Sequence, residues 1–215
     1  MTNNDFALSL QSSAFDEYIA GRFLFLNGYY NQALNLASTA VEKYLKTALA
    51  ILNIKKRVHL DRYSELCDLF YPTAYYMLPG MLDEYFLDIL GKIYKYRYLD
   101  VLDERITIGF LTNQFLGELD FTIEKIDRLI QITRVDGIHI DSAYRHALKA
   151  NLPVLFQNNY LLDRIEKNEF MNRASDGYAL HLDPAIAGNT VIINGTNLQP
   201  VYEGKMNLIK VNSQL

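Results

Sequence analysis

The chain has 215 residues, of which half are hydrophobic and 21% are charged, with a net charge of −4 and a single cysteine. These proportions suit a folded protein with a substantial core and exclude a largely disordered chain. The single cysteine excludes a disulfide scaffold and a multi-cysteine zinc site, and the negative charge excludes broad basic coating of DNA or RNA.

The amino-terminal residues lack the basic stretch, apolar run and cleavage site of a secretion signal. No uninterrupted apolar run reaches the roughly 18 residues that a membrane-spanning helix needs. We therefore expect a cytoplasmic protein that does not contact a membrane.

The first three-fifths of the sequence predicts one helix after another, because apolar residues recur at intervals of three and four. Gly28 separates the first two helices by a link so short that they must run antiparallel. The helical pattern is predicted to be interrupted again at Pro79 and Gly80, and later at Gly109. The predicted helices cover residues 14–27, 31–53, 61–70, 82–100 and 110–134.

Asp136 and Gly137 predict a turn, after which the pattern changes. Helices are predicted over residues 141–150 and 155–171, separated by a proline, and β-branched runs at residues 191–193 and 208–211 predict short strands. We therefore expect a mainly α fold with two parts. Residues 1–135 form a helical bundle, and residues 136–215 form a C-terminal α+β extension that packs on the bundle and ends in a short β-hairpin.

Two short motifs in the first part point to a family. Residues 40–46 read Ala-Val-Glu-Lys-Tyr-Leu-Lys after a helix and a glycine-containing turn, and a later helix carries Arg97 and Tyr98 followed by Asp100. Over about residues 6–135 this order resembles the HEPN superfamily, named for higher eukaryotes and prokaryotes nucleotide-binding. The resemblance implies an up-and-down helical bundle that commonly pairs with itself, so we expect a homodimer.

The resemblance implies two kinds of function. Many HEPN members are metal-independent ribonucleases that carry an arginine and, four to six residues later, a histidine at the dimer seam. Others lack this motif and bind nucleotides or protein partners. No histidine follows Arg97 at that spacing, whereas Arg134 and His139 have the required four-residue gap. They span the predicted turn at the end of the last bundle helix, although the family places its motif near the start of that helix.

The leading hypothesis is a non-catalytic HEPN-like protein that binds a nucleotide or a protein partner, such as a nucleotidyltransferase-type protein in a toxin–antitoxin or defence system. Cationic side chains would contact phosphate and a tyrosine would offer a stacking face. The candidate residues are Lys43, Lys46, Arg97, Tyr98 and Asp100.

Two alternatives stay open. One is an endoribonuclease in which His139 exchanges a proton near pH 7 and Arg134 stabilises the charge of the phosphorane. The other is a structural dimerisation or interaction module whose C-terminal strands complete the sheet of a partner by edge addition.

Three other sets of polar residues have a structural interpretation as well as a functional one. Glu42 and Lys46 have the spacing of a helix-surface ion pair. The lysines and arginines around His59 predict either a solvated basic loop or a contact with an anion or RNA. The spacing of His139, Asp141 and His146 matches no compact metal-ligand signature. We therefore expect no metal and no other cofactor.

Overall fold

The computed structural model describes residues 3–56, 58–96, 106–133, 136–183, 188–200 and 202–206. Within these ranges the protein is mainly helical with a small β-sheet that draws on its C-terminal part, as predicted. The helices are α1 (Asn3–Leu26), α2 (Tyr30–Ile51), α3 (Tyr63–Phe70), α4 (Leu78–Met81), α5 (Glu84–Tyr96), α6 (Thr112–Leu129), α7 (Ala143–Lys149), α8 (Pro153–Phe156) and α9 (Lys167–Met171), with a 3₁₀ turn at Leu60–Arg62 before α3. The strands are β1 (Ile106–Leu111), β2 (Ile132–Thr133), β3 (His139–Ile140), β4 (Ser175–Asp183) and β5 (Gly188–Leu198).

Helices α1 and α2 form a closely packed antiparallel pair. The link between them turns at Gly28, which has a φ of +80° and so occupies a region that favours glycine. A Cβ atom on Gly21 would lie 3.1 Å from the Cβ of Leu36 and 3.3 Å from the carbonyl oxygen of Ala33. Small residues on both helices therefore permit this close approach.

Helix α6 is the central element of the core. Its apolar face buries Phe115, Leu119, Ile123 and Ile126 against the other helices. The same helix also buries polar side chains, so its remaining faces need hydrogen-bonding partners within the protein. Helix α5 packs on α2, where the hydroxyl of Ser38 donates to the carbonyl oxygen of Leu90 at 3.0 Å.

The main sheet is antiparallel in the order β1-β4-β5. Strand β1 pairs with β4 from Ile106 opposite Leu182 to Leu111 opposite Gly177. Strands β4 and β5 form a hairpin from Asp183 opposite Gly188 to Ser175 opposite Leu198. The sheet therefore joins a strand from the first 135 residues to two strands from the last 80.

Several predicted boundaries are wrong. The chain at Gly109 lies within β1 rather than in a break, so α6 begins at Thr112. Asn194-Gly195 is a residue pair typical of turns, but it lies inside β5, where Gly195 is opposite Gly177 at an irregularity in the register. A glycine in a strand accommodates such an irregularity. Of the two predicted hairpin strands, residues 191–193 belong to β5 and pair with β4, whereas residues 208–211 lie outside the described residues.

The predicted helix over residues 155–171 is interrupted. Helix α8 ends at Phe156 and α9 begins at Lys167. Between them Asn158 and Arg164 have φ values of +52° and +57°, which a right-handed helix does not allow. The turn at Asp136 and Gly137, by contrast, is confirmed, and it connects β2 to β3.

The C-terminal elements pack on the helices of the first part. Tyr144 of α7 and Leu155 of α8 belong to the same buried cluster as the apolar residues of α1, α2 and α6. Further along, Met206 belongs to that cluster, and its main-chain N–H donates to Asp83 Oδ2 at 3.0 Å. No helix in the described part of the chain is long and apolar enough to cross a membrane.

Candidate functional site

The two predicted lysines of α2 have different surroundings. Lys43 donates through Nζ to Glu17 Oε1 at 2.6 Å and to Ser13 Oγ at 2.8 Å, both on α1. Lys46 donates to Glu42 Oε1 at 2.6 Å on its own helix. Lys43 therefore connects two helices, whereas Lys46 belongs to a polar cluster that faces the connector after α2.

Glu42 is the centre of that cluster. Its Oε1 lies 3.0 Å from Nδ1 of His59, in addition to its bond from Lys46, and its Oε2 accepts the main-chain N–H of Leu60 at 3.3 Å. Burial by itself raises the pKa of Glu42, but the hydrogen bonds from Lys46 and His59 outweigh burial and hold the pKa below its ordinary value. The carboxylate is therefore ionised at neutral pH.

The carboxylate orients the imidazole of His59. When Nδ1 carries its proton toward Glu42, Nε2 is left as the second polar atom of the ring, able to accept from a ligand when neutral or to donate when protonated. The ring also stacks on Tyr94 of α5, with the centroids 5.0 Å apart and the planes at 23°. Nζ of Lys46 also lies 3.2 Å from Nδ1, so Glu42, Lys46 and Tyr94 all contact His59.

A pocket of about 600 Å³ lies beside this cluster, between the start of α1 and the end of α2 with its connector. One wall is apolar and includes Phe6, whose surface is 47% exposed, together with Leu10 and Ile54. The polar part of the lining is formed by Lys46, Lys55, Lys56, Asn53 and His59. The pocket is thus lined both by apolar side chains and by three lysines.

This lining determines the kind of ligand that fits. The volume is within the range of about 300–1,000 Å³ that is usual for small-molecule sites. Lysine ammonium groups attract phosphate or carboxylate, and an exposed phenylalanine ring offers a face for stacking. The site is therefore suited to an anionic ligand with a flat apolar portion.

The other predicted histidine lies in a different cluster. His139 of β3 has its Nε2 at 2.9 Å from Nη1 of Arg145, on α7. Nε of Arg145 lies 3.7 Å from Asp127 Oδ2, which also accepts the hydroxyl of Ser142 at 2.8 Å. Burial raises the pKa of Asp127 to about 6, although the hydrogen bond from Ser142 and the charge of Arg145 oppose that rise.

Four of the predicted site residues are not among the residues that the structure describes. Arg97, Tyr98 and Asp100 lie outside the described residues, and so does Arg134, the predicted partner of His139. Of the described candidates, Lys46 lines the pocket and Lys43 does not. Within the described ranges, no three histidine, cysteine or acidic side chains are grouped so as to hold a metal ion.

The sequence pattern did not predict the link between Glu42 and His59, the pocket role of Phe6, or the contact of Arg145 with His139. One signal for Glu42 was available. It lies four residues after Ser38 and three before Leu45, on the buried stripe of α2, where an acidic residue needs a partner. The identity of that partner depends on the fold, because His59 is 17 residues away.

No family model, curated protein or solved structure matches this chain. The HEPN assignment therefore rests on the sequence motifs and stays a prediction.

Proposed function

We propose that this chain is a non-catalytic HEPN-like protein that binds a nucleotide in the pocket beside Lys46 and His59. The observation that carries the proposal is the lining of that pocket, in which an exposed aromatic ring faces the same space as three lysines. A nucleotide combines the two matching properties, because it has a flat base and an anionic phosphate.

In this proposal, each part of the pocket lining contacts a different part of the nucleotide. The phosphate accepts hydrogen bonds from Lys46, Lys55 and Lys56, while the base lies against Phe6. Lys46 already donates to Glu42, but an ammonium group has three donors, so it can bond to the carboxylate and to a phosphate at once. A charge-assisted hydrogen bond contributes about 1.5–3 kcal/mol, which corresponds to roughly a 10- to 150-fold change in Kd.

Lys43 provides a matched control for Lys46. The two residues have the same chemistry and lie on the same helix, but only Lys46 lines the pocket. We expect Lys46→Met to weaken the binding of ATP or AMP about 10-fold or more, and Lys43→Met to change it less than about 2-fold, in isothermal titration calorimetry. Equal effects of the two substitutions, or no binding by the wild type at millimolar nucleotide, would overturn the proposal.

A second pair of measurements separates the base from the phosphate. Phe6→Ala removes the stacking surface and leaves the lysines in place. We expect this variant to bind AMP more weakly and to bind inorganic tripolyphosphate as the wild type does. A parallel loss for both ligands would show that Phe6 supports the structure of the pocket rather than a base.

The endoribonuclease is the second candidate, and one observation favours it. His139 lies within hydrogen-bond distance of a guanidinium, that of Arg145, so a proton-transfer group and a phosphate-stabilising group are adjacent. The test is cleavage of a labelled RNA by the wild type and by His139→Ala, Arg145→Ala and Arg134→Ala. Cleavage that disappears in the His139 and Arg145 variants would support this function, and intact RNA at high protein concentration would exclude it.

A further inference from the structure

A second pocket, of about 390 Å³, lies where the C-terminal part of the chain packs on the helices of the first part. Its walls come from residues 79–85 of α4 and the start of α5, from Phe121 of α6, from Lys167 of α9 and from residues 204–206. It shares no lining residue with the pocket beside Lys46. The two pockets are therefore separate sites.

The chain segment that forms one wall is held at both ends. The main-chain N–H of Tyr202 donates to Asn172 Oδ1 at 2.7 Å, and its hydroxyl donates to Glu118 Oε1 at 2.8 Å. At the other end, the main-chain N–H of Met206 donates to Asp83 Oδ2 at 3.0 Å. The side chains of Tyr202 and Met206 are both buried. The pocket is therefore formed before a ligand binds, as is usual for small-molecule sites.

The charges in the lining of this second pocket have both signs. Two carboxylates, of Asp83 and Glu84, and two ammonium groups, of Lys167 and Lys205, line it. A bound anion would face the two carboxylates, and a bound cation would face the two lysines. A zwitterion avoids both conflicts, because each of its charges can face the opposite charge. The pocket beside Lys46 differs, since its described lining has three lysines and no carboxylate.

Lys167 forms the positive end of the second pocket. Its Nζ lies 2.8 Å from Oε1 and 2.9 Å from Oε2 of Glu118, which is fully buried, and 4.0 Å from the centroid of the Phe121 ring. These contacts fix the position of the ammonium group. Because an ammonium has three donors, one remains for the carboxylate of a ligand, and Lys205 adds a second positive charge.

Asp83 forms the negative end. Its Oδ1 accepts the main-chain N–H of Phe86 at 2.8 Å, and its Oδ2 accepts that of Met206. The two bonds fix the carboxylate, and each oxygen can still accept another hydrogen bond. Glu84, the next residue, adds a second negative charge to the lining. This end is therefore suited to the ammonium group of a ligand.

The remaining lining and the volume limit the size and polarity of the ligand. A volume of about 390 Å³ lies near the lower end of the roughly 300–1,000 Å³ that is usual for ligand pockets, so a small ligand fits. We propose that the second pocket binds a free α-amino acid with an apolar side chain. Its carboxylate faces Lys167, its ammonium faces Asp83, and its side chain packs on the apolar part of the lining. The apolar and aromatic residues of that lining are Met81, Leu82, Tyr85, Phe121 and Met206.

Calorimetry with ligand derivatives tests the match of charges without altering the protein. L-leucine, L-methionine and L-phenylalanine would be titrated into the full chain, and at least one of them should bind at micromolar to millimolar concentration. Its N-acetyl and carboxamide derivatives, which lack the ammonium or the carboxylate, should each bind about 10-fold or more weakly. No binding of any of the three amino acids, or equal binding of the parent and both derivatives, would overturn the proposal.

Lysine substitutions test the location of the bound amino acid. Lys167→Met should weaken binding about 10-fold or more, although it also leaves the buried Glu118 without its cation and so lowers the melting temperature. Lys205 is exposed, so Lys205→Met should keep the wild-type melting temperature and still weaken binding. Lys149→Met is the control, because Lys149 is exposed and lies outside the lining. Unchanged affinity in both pocket variants would overturn the proposal.

The same titrations separate this site from the nucleotide pocket. Lys46→Met should leave the affinity for the amino acid unchanged, because Lys46 does not line the second pocket. A loss of amino-acid binding in Lys46→Met would place the amino acid in the other pocket and overturn the proposal. This inference does not depend on whether a nucleotide binds.

Discussion

Replacing Arg22 by methionine should reveal how strongly one buried ion pair stabilises this fold. Arg22 of α1 is fully buried and meets Asp120 of α6 through two contacts, Nε to Oδ1 at 2.8 Å and Nη2 to Oδ2 at 3.0 Å. Tyr18 donates its hydroxyl to Asp120 Oδ1 at 2.7 Å. The guanidinium also donates to the carbonyl oxygens of Val154 and Asn158, so it connects two bundle helices to the C-terminal part of the chain.

The ionised state of the pair determines the size of the effect. Burial opposes the charge of Arg22, but the attraction of Asp120 outweighs burial and raises the pKa of the guanidinium further above its ordinary value. Arg22→Met leaves Asp120 buried with Tyr18 as its remaining donor. Removing one partner of a buried pair costs about 3–5 kcal/mol, because the other charge stays buried without compensation.

A double-mutant cycle tests this explanation. Arg22→Met, Asp120→Asn and the double variant would be compared by urea unfolding followed by circular dichroism. The double variant should lose less than the sum of the single losses, with a coupling of about 2 kcal/mol or more, because it contains no uncompensated charge. Arg173→Met is the control, since Arg173 forms a 2.7 Å pair with Glu169 on the surface and should cost under about 1 kcal/mol. Equal losses for Arg22→Met and Arg173→Met, or additive losses in the cycle, would refute the reasoning.

Three further predictions concern other buried contacts. Because burial raises the pKa of Asp127 to about 6, its ionisation opposes folding. The folded state then binds more protons than the unfolded chain, so the free energy of unfolding should fall by up to about 3 kcal/mol as pH rises from about 4 to 6. Urea unfolding of Asp127→Asn should lack that fall. A Cβ on Gly91 would lie 2.9 Å from a main-chain carbonyl oxygen of the 3₁₀ turn, so Gly91→Ala should cost about 1–3 kcal/mol in urea unfolding. Gly80→Ala is the control, because nothing lies within 4 Å of its added Cβ, and the free energy of unfolding should not fall in this variant. Tyr202→Phe removes a 2.8 Å hydrogen bond to the buried Glu118 and should lower the free energy of unfolding by about 1–3 kcal/mol, and an unchanged melting temperature would contradict that role.

The helices of the first part could be predicted because their signal is local. The apolar spacing predicted a helix over residues 31–53, and α2 extends from Tyr30 to Ile51. Strand β1 was not predicted, because its pairing partner β4 lies about 70 residues away in the sequence. A short run such as Ile106–Leu111 has no amphipathic period long enough to identify it, so its structure depends on hydrogen bonds to a distant strand.

In the candidate site, too, some features follow from the local sequence and others depend on residues that are distant in the sequence. The sequence by itself determined a helical protein with basic residues in α2 and in the connector after it, because composition and apolar spacing are properties of the chain alone. It could not distinguish Lys43 from Lys46. Only the tertiary structure paired Lys43 with Glu17 and placed Lys46 beside His59 and the pocket, because those partners come from other segments that the fold brings within hydrogen-bond distance.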